Sequence, residues 1–131
     1  MGMQPAKKSL DIGVIVKDIT ASLAFYTEVL GLAKTEELPT PFGKLHRLVF
    51  GDSFVKLIDP KKPPEGGPRG LTAQLGFRYL TFQISNIDEV CAACEKAGVT
   101  FEMSKRELMP GVKVAMVLDP DGNVVEFVQR G

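Results

Sequence analysis

A carboxylate lies in an apolar segment near the end of the chain, where a buried strand is expected. In VLDPDGNVVEFVQ, Glu126 stands between Val125 and Phe127. Because glutamate is seldom buried without a partner, Glu126 either faces water from an edge strand or takes part in a site. In a site, its carboxylate could serve as a general base or pair with a cation.

Three further residues, His46, Cys91 and Cys94, have side chains that could act in catalysis or metal binding. His46, in KLHRLVF, could project into a binding site as a general base, since imidazole titrates near neutral pH; a structural or exposed histidine is the alternative. Cys91 and Cys94, in CAAC, could form a redox pair or half a zinc site. Their position in mid-helix, with no second CxxC and no nearby histidine, favours small apolar packing instead.

The composition excludes several classes of partner. The chain has 131 residues, 44% hydrophobic and 24% charged, and its 16 basic and 16 acidic residues give no net charge. A neutral chain without a basic block is not expected to bind nucleic acid or an anionic membrane surface. It contains no apolar run of membrane-spanning length and no secretory signal pattern, so a reducing cytoplasm is the expected compartment.

The elements that would position these residues form a repeat. LDIGVIVKDITASLAFYTEVLGL and LGFRYLTFQISNIDEVCAACEKAGV each read as a strand, a polar step and a helix that ends at glycine. Asp18 or Thr20 is predicted to cap the first helix. Asn86 with Glu89 resembles a capping box at the second.

Three strand-like segments follow each helix, so each half is predicted to be a βαβββ module. We predict an α+β fold in which two modules form a curved mixed sheet, with the helices outside and a concave cleft inside. The predicted parts are an N-terminal tail (1–8), a first module (9–60), a Pro/Gly-rich linker (61–75) and a second module (76–131).

The segments VKDITASLAFYTEVLGL and DPDGNVVEF resemble the vicinal oxygen chelate superfamily. This group includes glyoxalase I, bleomycin- and fosfomycin-resistance proteins, extradiol dioxygenases and methylmalonyl-CoA epimerase. The resemblance implies paired βαβββ modules and a homodimer. It leaves the reaction open, because one fold hosts many chemistries.

In metal-dependent members, the resemblance implies four ligands on the concave face, usually His or Gln, Glu, His and Glu. The corresponding positions here are Asp11, Lys56, Tyr79 and Glu126, and His46 is at none of them. Of these, Glu126 alone matches the family. An ammonium group has no lone pair for a metal, and a phenol is a weak ligand at neutral pH.

Asp11 and Glu126 therefore remain as candidate metal ligands. Two carboxylates hold Mg²⁺ or Ca²⁺ weakly, whereas Zn²⁺ or Ni²⁺ would want imidazole. The implied cofactor is either none or one divalent metal ion. As a replacement for the metal, the repeat suggests an ion pair between Lys56 and Glu126, since a nearby ammonium offsets the cost of a buried carboxylate.

Two functions follow from the resemblance. The first is a glyoxalase/bleomycin-resistance-like protein that binds a small organic ligand, with Asp11, Lys56, Tyr79, Glu126 and His46 as candidate contacts. The second is a divergent lyase, isomerase or dioxygenase. In that case Glu126 takes a proton next to a carbonyl, Lys56 or a metal stabilises the enolate, and Tyr79 is the third candidate catalytic residue.

Overall fold

The computed structural model describes residues 2–131, and these form two compact units. The first unit extends to Pro64 and the second covers Glu65–Gly131. The boundary falls inside the Pro/Gly-rich stretch predicted as the linker. Each unit is one βαβββ module, so the fold is α+β as predicted.

The first module has a four-stranded mixed sheet with strand order β1-β4-β3-β2. Strand β1 runs parallel to β4, and the other neighbours are antiparallel. Its helix α1 continues directly into a π-helical segment. The elements are β1 (Ile12–Ile15), α1 (Ile19–Leu23), the π-helical segment (Ala24–Val29), β2 (Ala33–Thr40), β3 (Gly43–Phe50) and β4 (Ser53–Asp59).

Asp18, one of the two predicted caps, directly precedes helix α1 and caps it. Its carboxylate accepts the backbone N–H of Ala21 at 3.2 Å, which satisfies one of the free donors of the first turn. Thr20, the alternative cap, lies inside the helix. After the π-helical segment the chain turns at Gly31, whose φ of +84° favours glycine.

The second module repeats the arrangement with strand order β5-β8-β7-β6. Strand β5 runs parallel to β8, and the remaining pairs are antiparallel. The parallel pair is the counterpart of β1 and β4. The elements are β5 (Tyr79–Gln83), α2 (Ile87–Lys96), β6 (Phe101–Met109), β7 (Val112–Leu118) and β8 (Val124–Arg130).

The capping box predicted at Asn86 is wrong in its main feature. The Asn86 amide donates to Glu89 Oε2 at 2.8 Å, but the Asn86 side chain makes no capping bond to the helix backbone. The first helical N–H, that of Ile87, instead donates to Gln129 Oε1 at 2.8 Å. Helix α2 is therefore capped from strand β8, a long-range contact that no local motif contains.

Each sheet has one face under its helix and one face away from it. In the first module, α1 packs against β4, and Leu48, Val55 and Leu57 are buried on that side. In the second, α2 packs against β7 and β8 over Val125 and Phe127. Because side chains alternate along a strand, the residues between these apolar positions point to the other face. Neither helix within residues 2–131 has the length and apolarity that crossing a bilayer requires.

Candidate functional site

Lys56 projects from the sheet face of the first module that lies away from α1. Its direct neighbours in the sheet are Gly13 on β1 and Arg47 on β3. We call this surface the Lys56 face and define it by Gly13, Arg47, Phe54 and Lys56. The face therefore presents two cations side by side, next to a strand position without a side chain.

Apolar residues run across the Lys56 face on both sides of the two cations. On one side, Ile15, Ile58 and Leu45 are direct neighbours on β1, β4 and β3. On the other side, Phe54 pairs with Val49. All five are partly or largely exposed. The surface thus offers apolar contact area around a positively charged centre.

The two cations have different surroundings. Arg47 pairs with Glu36 through Nη1, and its guanidinium carbon lies 4.9 Å from the centroid of the Phe54 ring. Lys56 has neither a hydrogen bond nor an ion pair within residues 2–64. Its charge acts on Asp11, as one of several causes that lower the pKa of that carboxyl group. Lys56 is therefore the cation on this face that is available to a ligand.

Asp11 holds the N-terminal segment against the sheet. Its Oδ1 accepts Lys7 Nζ at 2.7 Å and the backbone N–H of Phe54 at 2.8 Å. The hydrogen bond from Lys7, followed by that from Phe54, lowers the pKa of Asp11. Lys7 also lies over the Phe54 ring, 4.6 Å from its centroid. The carboxylate of Asp11 thus already serves a structural role.

Glu126 lies on the corresponding face of the second module, which we call the Glu126 face. Its neighbours across the sheet are Thr81 on β5 and Met116 on β7. The hydroxyl of Thr81 donates to Glu126 Oε1 at 2.7 Å. Tyr79, two residues before Thr81 on the same face, is 55% exposed, so its ring is open to contact from outside. This face thus carries two of the predicted site residues, Tyr79 and Glu126.

His46 lies on the opposite side of the sheet from Lys56. It pairs with Leu57, which faces α1, whereas Arg47 pairs with Lys56. The His46 side chain is buried, and its Nδ1 is 3.5 Å from Glu37 Oε1. Neither ring nitrogen has a hydrogen-bond partner within the described chain. The structure thus separates His46 from the Lys56 face, and burial lowers the pKa of its imidazole.

The residues at the four implied metal positions do not fit a divalent metal. Lys56 is a cation, and the Asp11 carboxylate is already bonded through Oδ1 to the Lys7 ammonium. Tyr79 and Glu126 supply a phenol and one carboxylate. Residues 2–131 contain no group of three or more His, Cys, Asp or Glu side chains arranged to hold a metal ion.

Two residues of these faces were missed by the sequence reasoning, Arg47 and Thr81. A signal for Arg47 was present, because a tight turn at Gly51 and Asp52 pairs Phe50 with Ser53 and so places Arg47 opposite Lys56. Thr81 is two residues from Tyr79, and period-two alternation puts both on one face. The ion pair between Lys56 and Glu126 and a cleft shared by both modules stay predictions.

An open concavity of about 650 Å³ lies elsewhere on the first module. Its lining includes Glu37, Lys44, Asp59 and Lys61, and none of the predicted site residues. Glu37 and Lys44 are already paired with each other at 2.9 Å. The concavity therefore adds nothing to the two faces as candidate sites.

Known proteins with similar sequences include both a lyase and a protein without an assigned role. The uncharacterized protein YwbC of Bacillus subtilis is 26% identical over 95% of this chain and 99% of its own length. A lactoylglutathione lyase of Pseudomonas aeruginosa is 29% identical over 87% of this chain and 77% of its own length.

A solved structure of similar fold is that of TnmS3, an antibiotic binding protein from Streptomyces sp. CB03234. It is 25% identical, with a TM-score of 0.73, over 98% of this chain and all of the other. The family model for the Glyoxalase/Bleomycin resistance protein/Dioxygenase superfamily matches residues 9–127. With the paired βαβββ modules described above, this match shows that the chain belongs to the glyoxalase/bleomycin resistance protein/dioxygenase superfamily.

Proposed function

We propose that this protein binds a small organic molecule without the usual metal site of its superfamily. The observation that carries the proposal is Lys56, a cation at a position where the resemblance implies a metal ligand. It has no ion pair in its own module and lies among apolar side chains. Such a surface suits a mostly apolar ligand with a few polar contacts. The resemblance to TnmS3, described as an antibiotic binding protein, supports the same function.

The first test is a ligand screen. Purified protein is screened by thermal shift against aromatic and aliphatic compounds, and hits are measured by calorimetry. Each ligand is then recovered and identified by mass spectrometry. We expect saturable binding with the ligand returned unchanged.

The matched variants are Lys56→Met and Lys62→Met, which remove one ammonium group from the Lys56 face and one from the exposed stretch after β4. We expect Lys56→Met to bind the identified ligands more weakly than wild type does. Lys62→Met should bind them with wild-type affinity. Equal binding by all three proteins would contradict a ligand site at Lys56.

A second candidate function is an enzyme that uses Glu126 as general base. Two observations favour it: the Thr81 hydroxyl holds Oε1 of this carboxylate at 2.7 Å, which leaves Oε2 for a substrate proton, and the chain resembles a lactoylglutathione lyase. The test measures both the formation and the cleavage of lactoylglutathione by liquid chromatography. Glu126→Gln should abolish turnover and keep binding. No turnover by wild type, with binding intact, would leave the binding function alone.

Two further properties belong to the proposal. We expect a homodimer, which light scattering on the purified protein will test. We also expect the protein to work in a reducing cytoplasm, because both of its cysteines, Cys91 and Cys94, are free thiols.

A further inference from the structure

A strand position without a side chain, Gly13, lies beside Lys56 on the Lys56 face. Gly13 is an interior residue of β1, directly opposite Lys56 on the parallel neighbour β4. A Cβ built on Gly13 would meet no heavy atom within 4 Å, and its φ is not in the positive region where glycine is needed. Neither crowding nor backbone conformation therefore requires glycine here. Glycine inside a strand often marks a place where a ligand approaches closely.

The pairing on the other side of Lys56 is electrostatically unfavourable. Arg47 and Lys56 are direct cross-strand neighbours on one face, and like charges in this arrangement destabilise a sheet. Glu36 engages Arg47 through Nη1. Among residues 2–64 no carboxylate forms an ion pair with Lys56, and Asp11, on which the charge of Lys56 acts, is bonded to Lys7 instead. A bound anion would remove the repulsion and supply the missing partner.

The surroundings restrict what kind of molecule carries that anion. Ile15, Ile58 and Leu45 form an apolar row on one side of the cations, and Phe54 with Val49 forms another. An inorganic ion would leave both rows without contact. An aromatic or aliphatic body with one acidic group would cover the rows and reach the cation.

We propose that the ligand is an organic anion, whose carboxylate or phosphate group binds Lys56 in the space left by Gly13, with Arg47 as a flanking positive charge. This inference rests on the proposed function, since it names the chemical class of the ligand at the same face. Ammonium–carboxylate and ammonium–phosphate bonds are charge-assisted and stronger than neutral hydrogen bonds. The acidic group should therefore contribute much of the affinity.

The test compares three probes of similar shape: 1-naphthoate, 1-naphthyl phosphate and the neutral 1-naphthylmethanol. Each is titrated into wild type, Lys56→Met and Lys56→Arg by calorimetry. We expect wild type to prefer an anionic probe over the alcohol by about tenfold. Lys56→Met should lose that preference and Lys56→Arg should retain most of it. Comparing the two anions distinguishes a carboxylate ligand from a phosphate.

Gly13→Val provides an independent test of the space. Valine is favoured in strands, and a Cβ at position 13 meets no heavy atom within 4 Å, so the variant should fold with an equal or higher urea midpoint. It should nevertheless bind the anionic probe at least about tenfold more weakly, because the side chain occupies the ligand position. Gly66→Val, at an exposed glycine whose Cβ also meets nothing, is the matched control and should bind as wild type does.

The outcomes separate the inference from the proposed function. If the protein binds the alcohol and both anions with equal affinity, the inference that the ligand is an anion is overturned. The proposed small-molecule site is then retained. If Gly13→Val binds the anionic probe as wild type does, the acidic group does not occupy the space beside Gly13. Failure of all three probes to bind wild type contradicts the proposed function at this face as well.

Discussion

Arg47 and Lys56 lie directly opposite each other on strands β3 and β4, with both side chains on the face away from helix α1. The guanidinium of Arg47 is held by Glu36 and stacked on Phe54, so it cannot easily turn away from its neighbour. The two cationic side chains are therefore held on one face of the free protein, where we expect some repulsion between them.

Removal of the Lys56 charge should stabilise the free protein. Like charges directly opposite on a sheet cost a fraction of a kcal/mol, so Lys56→Met should raise the free energy of unfolding by about 0.5 kcal/mol. Urea denaturation at low salt measures this free energy of unfolding, with Lys62→Met as the control. A loss of stability in Lys56→Met would contradict the repulsion and favour the ion pair with Glu126 predicted from the sequence.

Gly43, the first residue of β3, should be much less tolerant of substitution than the turn glycine Gly51. Its φ is +135°, and an added Cβ would lie 2.3 Å from the carbonyl oxygen of Asp59. We expect Gly43→Ala to lower the free energy of unfolding by about 3 kcal/mol. Gly51, with φ of +55° and no atom within 4 Å of an added Cβ, should lose only about 1 kcal/mol when changed to alanine. Equal losses in the two variants would contradict the close contact at Gly43.

Thr81 should hold the Glu126 carboxylate in one orientation. Thr81→Val keeps the shape of the side chain but removes the hydroxyl that donates to Oε1 at 2.7 Å. We expect a loss of about 1 kcal/mol in the free energy of unfolding, measured by urea denaturation. Thr81→Ser retains the donor and should lose less. If serine and valine destabilise equally, the hydrogen bond contributes little.

His46 should make the protein less stable in mild acid. Burial, with the charges of Lys34 and Lys44 from β2 and β3, lowers the pKa of its imidazole, while Glu37 and Asp59 act in the opposite direction. The folded protein therefore binds this proton less readily than the unfolded chain. Stability is complete above the ordinary value of about 6.5 and falls as the pH drops through the lowered folded pKa.

The measurement is the free energy of unfolding of wild type and His46→Leu between pH 7.5 and 5.0. The variant should show the shallower decline, because leucine has no proton to gain. Identical slopes in the two proteins would contradict the lowered pKa of His46. Glu37 stays ionised in the folded protein over this range, since its hydrogen bonds from Lys34 and Lys44 lower its pKa to about 2. Its own contribution to the slope is common to both proteins, so the comparison isolates His46.

The two cysteines of α2 should be inert in the native protein. Cys91 and Cys94 are 4% and 0% exposed, and burial raises the pKa of both, that of Cys94 to about 11. Because the thiolate is the reactive form, a disulfide-exchange reagent at pH 8 should label neither residue until urea unfolds the chain. Rapid labelling of the native protein would revive the redox interpretation of CAAC.

The fold could be predicted because its signals are local. The helix cap at Asp18, the turn at Gly31 and the alternating strands lie within short segments, and the repeat of the pattern predicted two modules of one kind. The start of α2 could not be predicted this way. Its capping acceptor is Gln129, far along the chain, and only the completed sheet brings that side chain to the helix.

The partners of the candidate site residues could not be predicted from the sequence. Lys56 and Glu126 each lie on the sheet face away from their helix. The role of Asp11 depends on Lys7 and Phe54, which reach it through the folded sheet. His46 was a candidate ligand contact, but it lies buried on the side that faces α1. Period-two alternation orders residues within a strand but does not say which side the helix covers.

The ammonium group of Lys7 connects three parts of the first module. It bonds Asp11 at 2.7 Å and the carbonyl oxygen of Asp52 at 2.9 Å, and it lies over the ring of Phe54. Removal of the first residues by a protease would therefore expose the ring of Phe54. It would also free the carboxylate of Asp11, on which the charge of Lys56 acts. Two preparations that differ only in their first few residues would then present different ligand surfaces. For that reason an affinity tag belongs at the other terminus, and intact mass should be checked before binding constants are compared.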